Sequence, residues 1–433
     1  MSDLPSAMAF NVTRLGAANF EPVWESTRYH ATEDTERVVA FSDLQTLRRY
    51  QEAGAELPSF EVAGRRRQLF FNPADVSAAI VTCGGLCPGQ NDVIRAIAMT
   101  CRYGYGIERV IGYRYGYAGL SQQPPAPARP LSLPDVSDIH WQGGTMLSSS
   151  RGAPPVSEMV DTLERDRIRM LFAIGGDGTL RGASAIAQEI QARGLSIAVI
   201  GVPKTIDNDI AWIEQSFGFR TAVEEARRAI LAAHVEARGA PGGIGLVKLM
   251  GRHSGFIAAH ATLANPDVNF CLVPEVPLVL KGEGAFLPAL ESRLRDRNHA
   301  VIVVAEGVGQ DLLATQETGT DASGNVKLKD IGTFLKAQIE AYLGERGLPS
   351  TIKYIDPSYM VRSLPANASD SKLCLMLGQH AVHAAMAGRT DMVVGYWNQH
   401  FTHVPIPLAV SHRKQLQPDG DTWQAVLAST GQG

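Results

Sequence analysis

Ser196-Ile197-Ala198-Val199-Ile200-Gly201-Val202-Pro203-Lys204-Thr205-Ile206-Asp207-Asn208-Asp209 is the stretch on which the reading of this chain turns. Residues 196–202 form an apolar run of the length expected for a buried strand. Thr205, Asp207 and Asp209 follow at alternate positions, which an extended backbone places on one face. A strand ending in two carboxylates and a hydroxyl can hold Mg²⁺, take a proton or bond a hydroxylated substrate. The same residues also suit a solvated acidic turn, so the neighbouring segments have to decide.

Outward on the N-terminal side, Met170–Ile174 is an apolar strand, Gly175-Gly176-Asp177-Gly178-Thr179 a turn, and Leu180–Arg193 helical. Further back, Ser77–Val81 is a strand and residues 82–89, with Gly84, Gly85 and Gly89, are a glycine-rich turn. Asn91–Tyr103 then carries apolar side chains at helical spacing. Strand, glycine turn and helix form a phosphate-cradling arrangement, because glycines let the backbone approach and a helix N-terminus favours an anion. Neither a Walker loop nor GxGxxG is present. Residues 143–151 form another small-residue loop, ending in Arg151.

On the C-terminal side, Thr221 and Glu224 are spaced as a capping box for a helix from about Ala222. Strands follow at Gly243–Leu249, Phe270–Val273, Ala300–Ala305, Thr351–Ile355 and Asp391–Tyr396, the last clear one. Helical segments lie between them, and Gln310–Lys329 reads as an excursion loop. Such alternation predicts an α/β fold with mainly parallel sheets covered on both faces. In that fold ligands sit beyond strand C-termini. Met250-Gly251-Arg252, Glu306-Gly307 and Pro357-Ser358-Tyr359-Met360-Val361-Arg362 all fall there, as do the glycine turns.

Composition narrows the classes. A chain of 433 residues, 45% hydrophobic and 19% charged, predicts a globular protein of two or three domains. A net charge of −4 gives no basic excess for nucleic acid. No apolar run is long enough for a membrane span, and no signal peptide is visible. An odd cysteine count of 5 fits a reducing cytoplasm, and Cys83 and Cys87 lack partners for a zinc site. His380 and His383 share a helix face without a third ligand nearby. Residues 1–75 differ in texture and read as an N-terminal extension, with Arg65–Arg67 a solvated or interface patch.

Taken together and in this order, residues 175–179, 203–209, 250–252, 305–307 and 357–362 resemble the 6-phosphofructokinases. The likeness runs from about Phe70 to about Tyr396. It is strongest to the plant and trypanosomal branch, which groups by sequence with pyrophosphate-dependent enzymes. It implies a fold of two similar Rossmann-like domains, with the active site in the cleft. The donor domain would hold residues 76–217 and 361–395, the sugar-phosphate domain 218–360, and residues 396–433 a C-terminal segment. It implies phosphorylation of fructose 6-phosphate by Mg-ATP, the committing step of glycolysis, in a cytoplasmic homodimer or homotetramer open to allosteric control.

The resemblance also implies roles. Gly84, Gly85, Arg151, Gly176, Asp177, Gly178 and Thr179 would bind the donor, with Asp177 meeting Mg²⁺. Asp207 would be the general base, Thr205 and Ile206 substrate contacts, and Asp209 part of the acidic pocket. Met250, Gly251, Arg252 and Glu306 would hold the sugar phosphate, Arg252 also stabilising transition-state charge. Lys353, Tyr359, Met360, Val361 and Arg362 would grip the 6-phosphate.

Donor choice rests on Gly178 and Lys204. Pyrophosphate enzymes carry a second aspartate at the position of Gly178, where it fills the space of the nucleotide α-phosphate. Glycine removes that clash and repulsion and implies ATP. Lys204 is a residue the pyrophosphate enzymes share, so pyrophosphate is the alternative donor. Kinases such as NAD kinase share only the Gly-Gly-Asp-Gly turn. A regulatory protein that kept the fold would have lost Asp177, Asp207 or Arg252.

Overall fold

The computed structural model describes residues 5–22, 29–313, 319 and 327–432. The chain forms two compact units. The first comprises Met1–Thr205, Ile210–Gly218 and Leu364–His412; the second comprises Ile206–Asp209, Phe219–Ser363 and Arg413–Gly433.

The first unit is built on a nine-stranded sheet. In spatial order its parallel centre is Met392–Trp397, Ala198–Pro203, Met170–Gly175, Ser77–Thr82 and Arg109–Tyr113. Every residue of Ser77–Thr82, Met170–Gly175 and Ala198–Pro203 is buried, which is why these strands read as unbroken apolar runs. Helices Gln90–Met99, Asp177–Ala192 and Ala368–Met386 belong to the same unit. The strand that comes first in the parallel series, Ser77–Thr82, lies between the second and the third. The connections therefore leave in opposite directions, and a switch point opens beside the loops that follow Thr82 and Gly175.

Residues 1–75 belong to this unit. Arg37–Val39 and Ser59–Val62 add antiparallel strands to the sheet beside His400–Pro405. His400–Pro405 itself forms a hairpin with Met392–Trp397, turning at Asn398 and Gln399 with φ 45° and 64°. The sequence pattern did not mark that strand, because it contains proline, histidine and threonine rather than an apolar run.

The second unit holds a four-stranded parallel sheet in the order Phe270–Leu272, His299–Ala305, Gly243–Leu249, Thr351–Ile355. Helices Phe219–Arg238, Phe256–Leu263, Phe286–Arg297 and Ile331–Gly344 surround it, with Asp421–Thr430 near the chain end. Because all four strands run the same way, the segments after Leu249, Ala305 and Ile355 emerge at one end.

Some local expectations are corrected. The helix expected from Ala222 begins at Phe219, so Thr221 lies inside its first turn rather than at its cap. The helix expected from Leu180 begins at Asp177, so the second half of the 175–179 turn is already helical. In the expected excursion loop, residues 314–318 and 320–326 lie outside the described residues.

Candidate active site

In the first unit, the chain leaves Thr82 through Gly84 at φ 82° and enters the next helix from Gly89 at φ 95°, a left-handed conformation that favours glycine. The small-residue loop lies on this turn. Gly84 N–H donates to the Ser150 carbonyl at 3.1 Å, and Ser149 Oγ donates to the Gly84 carbonyl at 2.6 Å. Arg151, next in the chain, is exposed.

The neighbouring turn is joined to this one through the sheet. Cys83 N–H donates to the Ile174 carbonyl at 3.0 Å. A methyl group on Gly175 would sit 2.1 Å from Thr179 Oγ1, so only glycine lets the chain turn so tightly into its helix. The helix opens at Asp177 with Gly176 at its cap, and its first N–H groups lack intrahelical partners, which suits phosphate oxygens. The Asp177 carboxylate accepts from Arg181 Nε at 3.1 Å and Nη2 at 3.3 Å. Arg181, on the same helix face four residues on, is a partner that the motif reading missed; an i,i+4 search would have found it. Beyond its own helical turn, a methyl group on Gly178 would meet no atom of the described residues within 4 Å.

Lys204 links the two turns. Its N–H donates to the Gly175 carbonyl at 3.0 Å, and its buried Nζ donates to the Gly85 carbonyl at 2.8 Å. Gly84, Gly85, Lys204 and Gly175–Thr179 are thereby one locus.

The segment after Lys204 is not an extended strand end. Ile206 and Asp207 lie in a turn, and Asn208 takes φ 54°. Strand alternation therefore does not align Thr205, Asp207 and Asp209; the turn sets their directions. Within the second unit, Ser254 Oγ donates to the Asp207 carbonyl at 3.0 Å. Asp209 is buried, and its carboxylate accepts from Arg413 Nη1 at 2.6 Å while Lys414 N–H donates to its carbonyl at 2.9 Å. Arg413 is far away in sequence and carried no motif, so the sequence offered no signal for this ion pair.

Also in the second unit, two turns interlock. Glu306 N–H donates to the Leu249 carbonyl at 2.9 Å, and Gly307 N–H donates to the Gly251 carbonyl at 3.1 Å. Gly251 has φ 133°, and a methyl group on Gly307 would lie 2.1 Å from the Arg252 carbonyl oxygen. Met250, Gly251, Arg252 and Glu306 are held together by this backbone fit. Arg252 Nε is buried with no hydrogen-bond partner among the described residues. Burial raises the Glu306 carboxyl above its usual range, opposed by the positive charges of Lys248, Arg252 and Arg362. Lys248, Arg252 and Arg362 thus place positive charge around Glu306, with Asp356 also near.

The 357–362 segment is a turn in which Met360 N–H and Val361 N–H both donate to the Pro357 carbonyl, at 2.8 and 3.0 Å. Val361 is buried, whereas Tyr359 is 76% and Met360 68% exposed. The Arg362 guanidinium lies 4.9 Å from the centre of the Tyr359 ring. Lys353 is placed apart. It pairs in register with Gly245, four residues before Leu249, which is roughly 13 Å down the strand. Its Nζ lies 3.7 Å from Glu236.

Comparison with known proteins places the chain in a family. The family model described as "Phosphofructokinase" matches residues 77–385. An ATP-dependent 6-phosphofructokinase of Borreliella burgdorferi is 50% identical over 378 residues, covering 86% of this chain and 85% of the relative. The enzyme of that name from Amycolatopsis methanolica is 48% identical, covering 94% of this chain and 90% of the relative. The one from Trypanosoma brucei brucei is 49% identical, covering 86% of this chain and 76% of the relative. Among solved structures, the pyrophosphate-dependent phosphofructokinase of Marinobacter aquaeolei superposes with a TM-score of 0.68 at 20% identity. That match covers 82% of this chain and 91% of the other, and speaks for the fold alone. Family model, relatives and fold converge: this chain belongs to the phosphofructokinase family.

Proposed function

We propose that the protein transfers the γ-phosphate of Mg-ATP to fructose 6-phosphate, giving fructose 1,6-bisphosphate and ADP in glycolysis. The observation that carries the donor choice is the open space beside Gly178, in the first turn of a helix whose N–H groups favour phosphate. A nucleotide α-phosphate needs that space, and an aspartate there would fill it with negative charge.

The first unit binds the donor. Gly85 and Gly176–Thr179 offer backbone N–H groups, Gly84 lets the backbone turn beside them, and Arg151 adds an exposed positive charge at the end of its loop. Asp177 is a single carboxylate, and no cluster of three His, Cys, Asp or Glu side chains that could hold a metal occurs among the described residues. That donor set fits an ion arriving on the nucleotide, since Mg²⁺ keeps several waters and takes one or two carboxylates plus phosphate oxygens. Asp177 would hold it, sharing its oxygens between the ion and Arg181. When bound, Mg²⁺ neutralises charge on the transferring group.

The second unit binds the acceptor. Arg252, with its unpartnered buried Nε, and Arg362 suit a sugar phosphate, and Glu306 suits sugar hydroxyls. Asp207 accepts the proton of the attacking hydroxyl as the new P–O bond forms and the bond to ADP breaks. Thr205 and Ile206 contact the sugar; Asp209 acts by fixing the turn through Arg413. Tyr359, Met360 and Val361 would grip the 6-phosphate with Arg362, and Lys353 would reach the sugar phosphate of a neighbouring copy in a homo-oligomer.

Lys204 favours a second reading, in which pyrophosphate is the donor. Assaying purified protein with each donor separates the two. Turnover with ATP is expected; turnover with pyrophosphate alone overturns the choice of ATP. No helix among the described residues is long and apolar enough to cross a membrane.

A further inference from the structure

After Asp209 the chain returns to the first unit through a tryptophan in a conformation that bulky residues avoid. Trp212 has φ 61°. An aromatic residue in the left-handed region is an outlier, and it persists only where its surroundings over-determine it.

Those surroundings are rings. The Trp212 ring centre lies 5.1 Å from Phe10, 5.5 Å from Phe41, 6.0 Å from Phe60, 5.7 Å from Trp397 and 6.5 Å from His412. These are ordinary spacings for packed aromatic pairs, several of them edge-on. Trp212 Nε1 is buried with no hydrogen-bond partner among the described residues, so packing rather than a polar tether seats the ring. Phe10, Phe41 and Phe60 come from the N-terminal segment, and Trp397 and His412 from the far end of the chain. All of them lie outside residues 77–385, the part matched by the family model.

The same return limb is fastened elsewhere. Ile210 and Ile213 are buried in the core of the unit. Glu214 N–H donates to the Tyr396 carbonyl at 3.0 Å, and Asn398 N–H donates to the Glu214 carboxylate at 2.9 Å. Ser216 Oγ donates to the Thr205 carbonyl at 2.6 Å, closing the loop on its own start.

We propose that Trp212 is a positioning residue. Its ring, clamped in a box made by the N-terminal extension and the C-terminal hairpin, fixes the 205–216 segment that carries Asp207. The extension is then part of the phosphotransfer machinery, acting through a residue that touches no substrate. This rests on the reading of Asp207 as the base.

The test joins kinetics to amide hydrogen exchange in the full chain. Trp212→Ala and Phe10→Ala are expected to raise exchange across residues 205–216 while the Ser77–Thr82 strand keeps its protection. They are expected to lower kcat ~10-fold or more with KM for ATP within about twofold, and Trp212→Phe to recover most of both losses. Wild-type kcat and exchange in Trp212→Ala overturn the proposal. So does an equal loss of protection in the loop and in the Ser77–Thr82 strand, the mark of a purely structural role. Should Trp212→Ala fail to fold, Phe10→Ala and Trp212→Phe decide by the same readouts. If wild-type protein shows no phosphotransfer to fructose 6-phosphate, the functional reading fails, and the exchange pattern still decides the positioning.

Discussion

Asp207 and Gly178 carry different parts of the chemistry, and single substitutions separate them. Asp207→Asn keeps the shape but removes the proton acceptor. A fall in kcat of ~10²–10⁴-fold is expected, with KM for ATP little changed; steady-state kinetics of purified variant and wild type check it. Gly178→Asp places a carboxylate where, beyond its own helical turn, no atom of the described residues stands within 4 Å of the new Cβ. The fold should tolerate it, shown by an unchanged unfolding midpoint. ATP use should fall ~10-fold or more, because a fixed negative group repels the nucleotide at close range. Equal ATP kinetics in that variant would show that Gly178 does not set donor choice. These residues were legible because their chemistry is local. Arg413 was not, since its pairing with Asp209 depends on chain segments some two hundred positions apart.

At the scale of elements, the acceptor site is a matter of turns that fit one another. Gly251 takes φ 133°, and a methyl group there would lie 2.5 Å from the Ser254 carbonyl oxygen. Gly251→Ala is therefore expected to cost about 1–3 kcal/mol of local strain. Relief of it shifts the turn that holds Arg252 beside Glu306. A raised KM for fructose 6-phosphate with a near-normal KM for ATP is the expected signature in initial-rate assays. The helix opening at Asp177 makes the same point: the motif was visible as glycines, yet its first helical turn became apparent only from backbone bonding. Hydrophobic periodicity marks the middle of an element better than its ends, where caps and tertiary contacts compete.

For the whole molecule, the N-terminal extension is fastened by buried polar groups. Arg389, 2% exposed, reaches Asp34 at 2.5 Å and Glu61 at 3.3 Å, and His403 Nδ1 lies 3.3 Å from Glu61. Beside them His380 stacks on Phe401 at 4.8 Å, with its Nδ1 buried and without a hydrogen-bond partner among the described residues. Burial pushes the His380 imidazole down to about 4, helped by the nearby His403 and Arg66. An unfolded histidine titrates near ~6.5. Between those values the unfolded chain binds the extra proton, so stability is full above pH ~6.5 and is lost as pH falls toward 4. His380→Gln removes that site. Its unfolding free energy should fall less steeply with acid than that of wild type, by up to ~1.4 kcal/mol per pH unit. Urea titrations at several pH values between 4 and 6.5 measure it; parallel slopes would remove His380 from the acid response.

The sequence by itself determined the α/β alternation, the strand-end placement of the polar motifs and the membership that those motifs imply. Each of these is written in short-range pattern: apolar runs buried on both faces, glycines where the backbone must turn, and charges at fixed offsets. Tertiary structure decided what those groups face. Lys204, read as a mark of the donor, is hydrogen-bonded to the carbonyl of Gly85; Asp209 is held by Arg413; Lys353 lies level with Gly245, in the middle of the neighbouring strand. Residues 1–75, which showed no role as a string, supply strands to the main sheet and rings around Trp212. A side chain's partner is set by sheet order and register, which bring distant segments together, and no window of neighbouring residues contains that information.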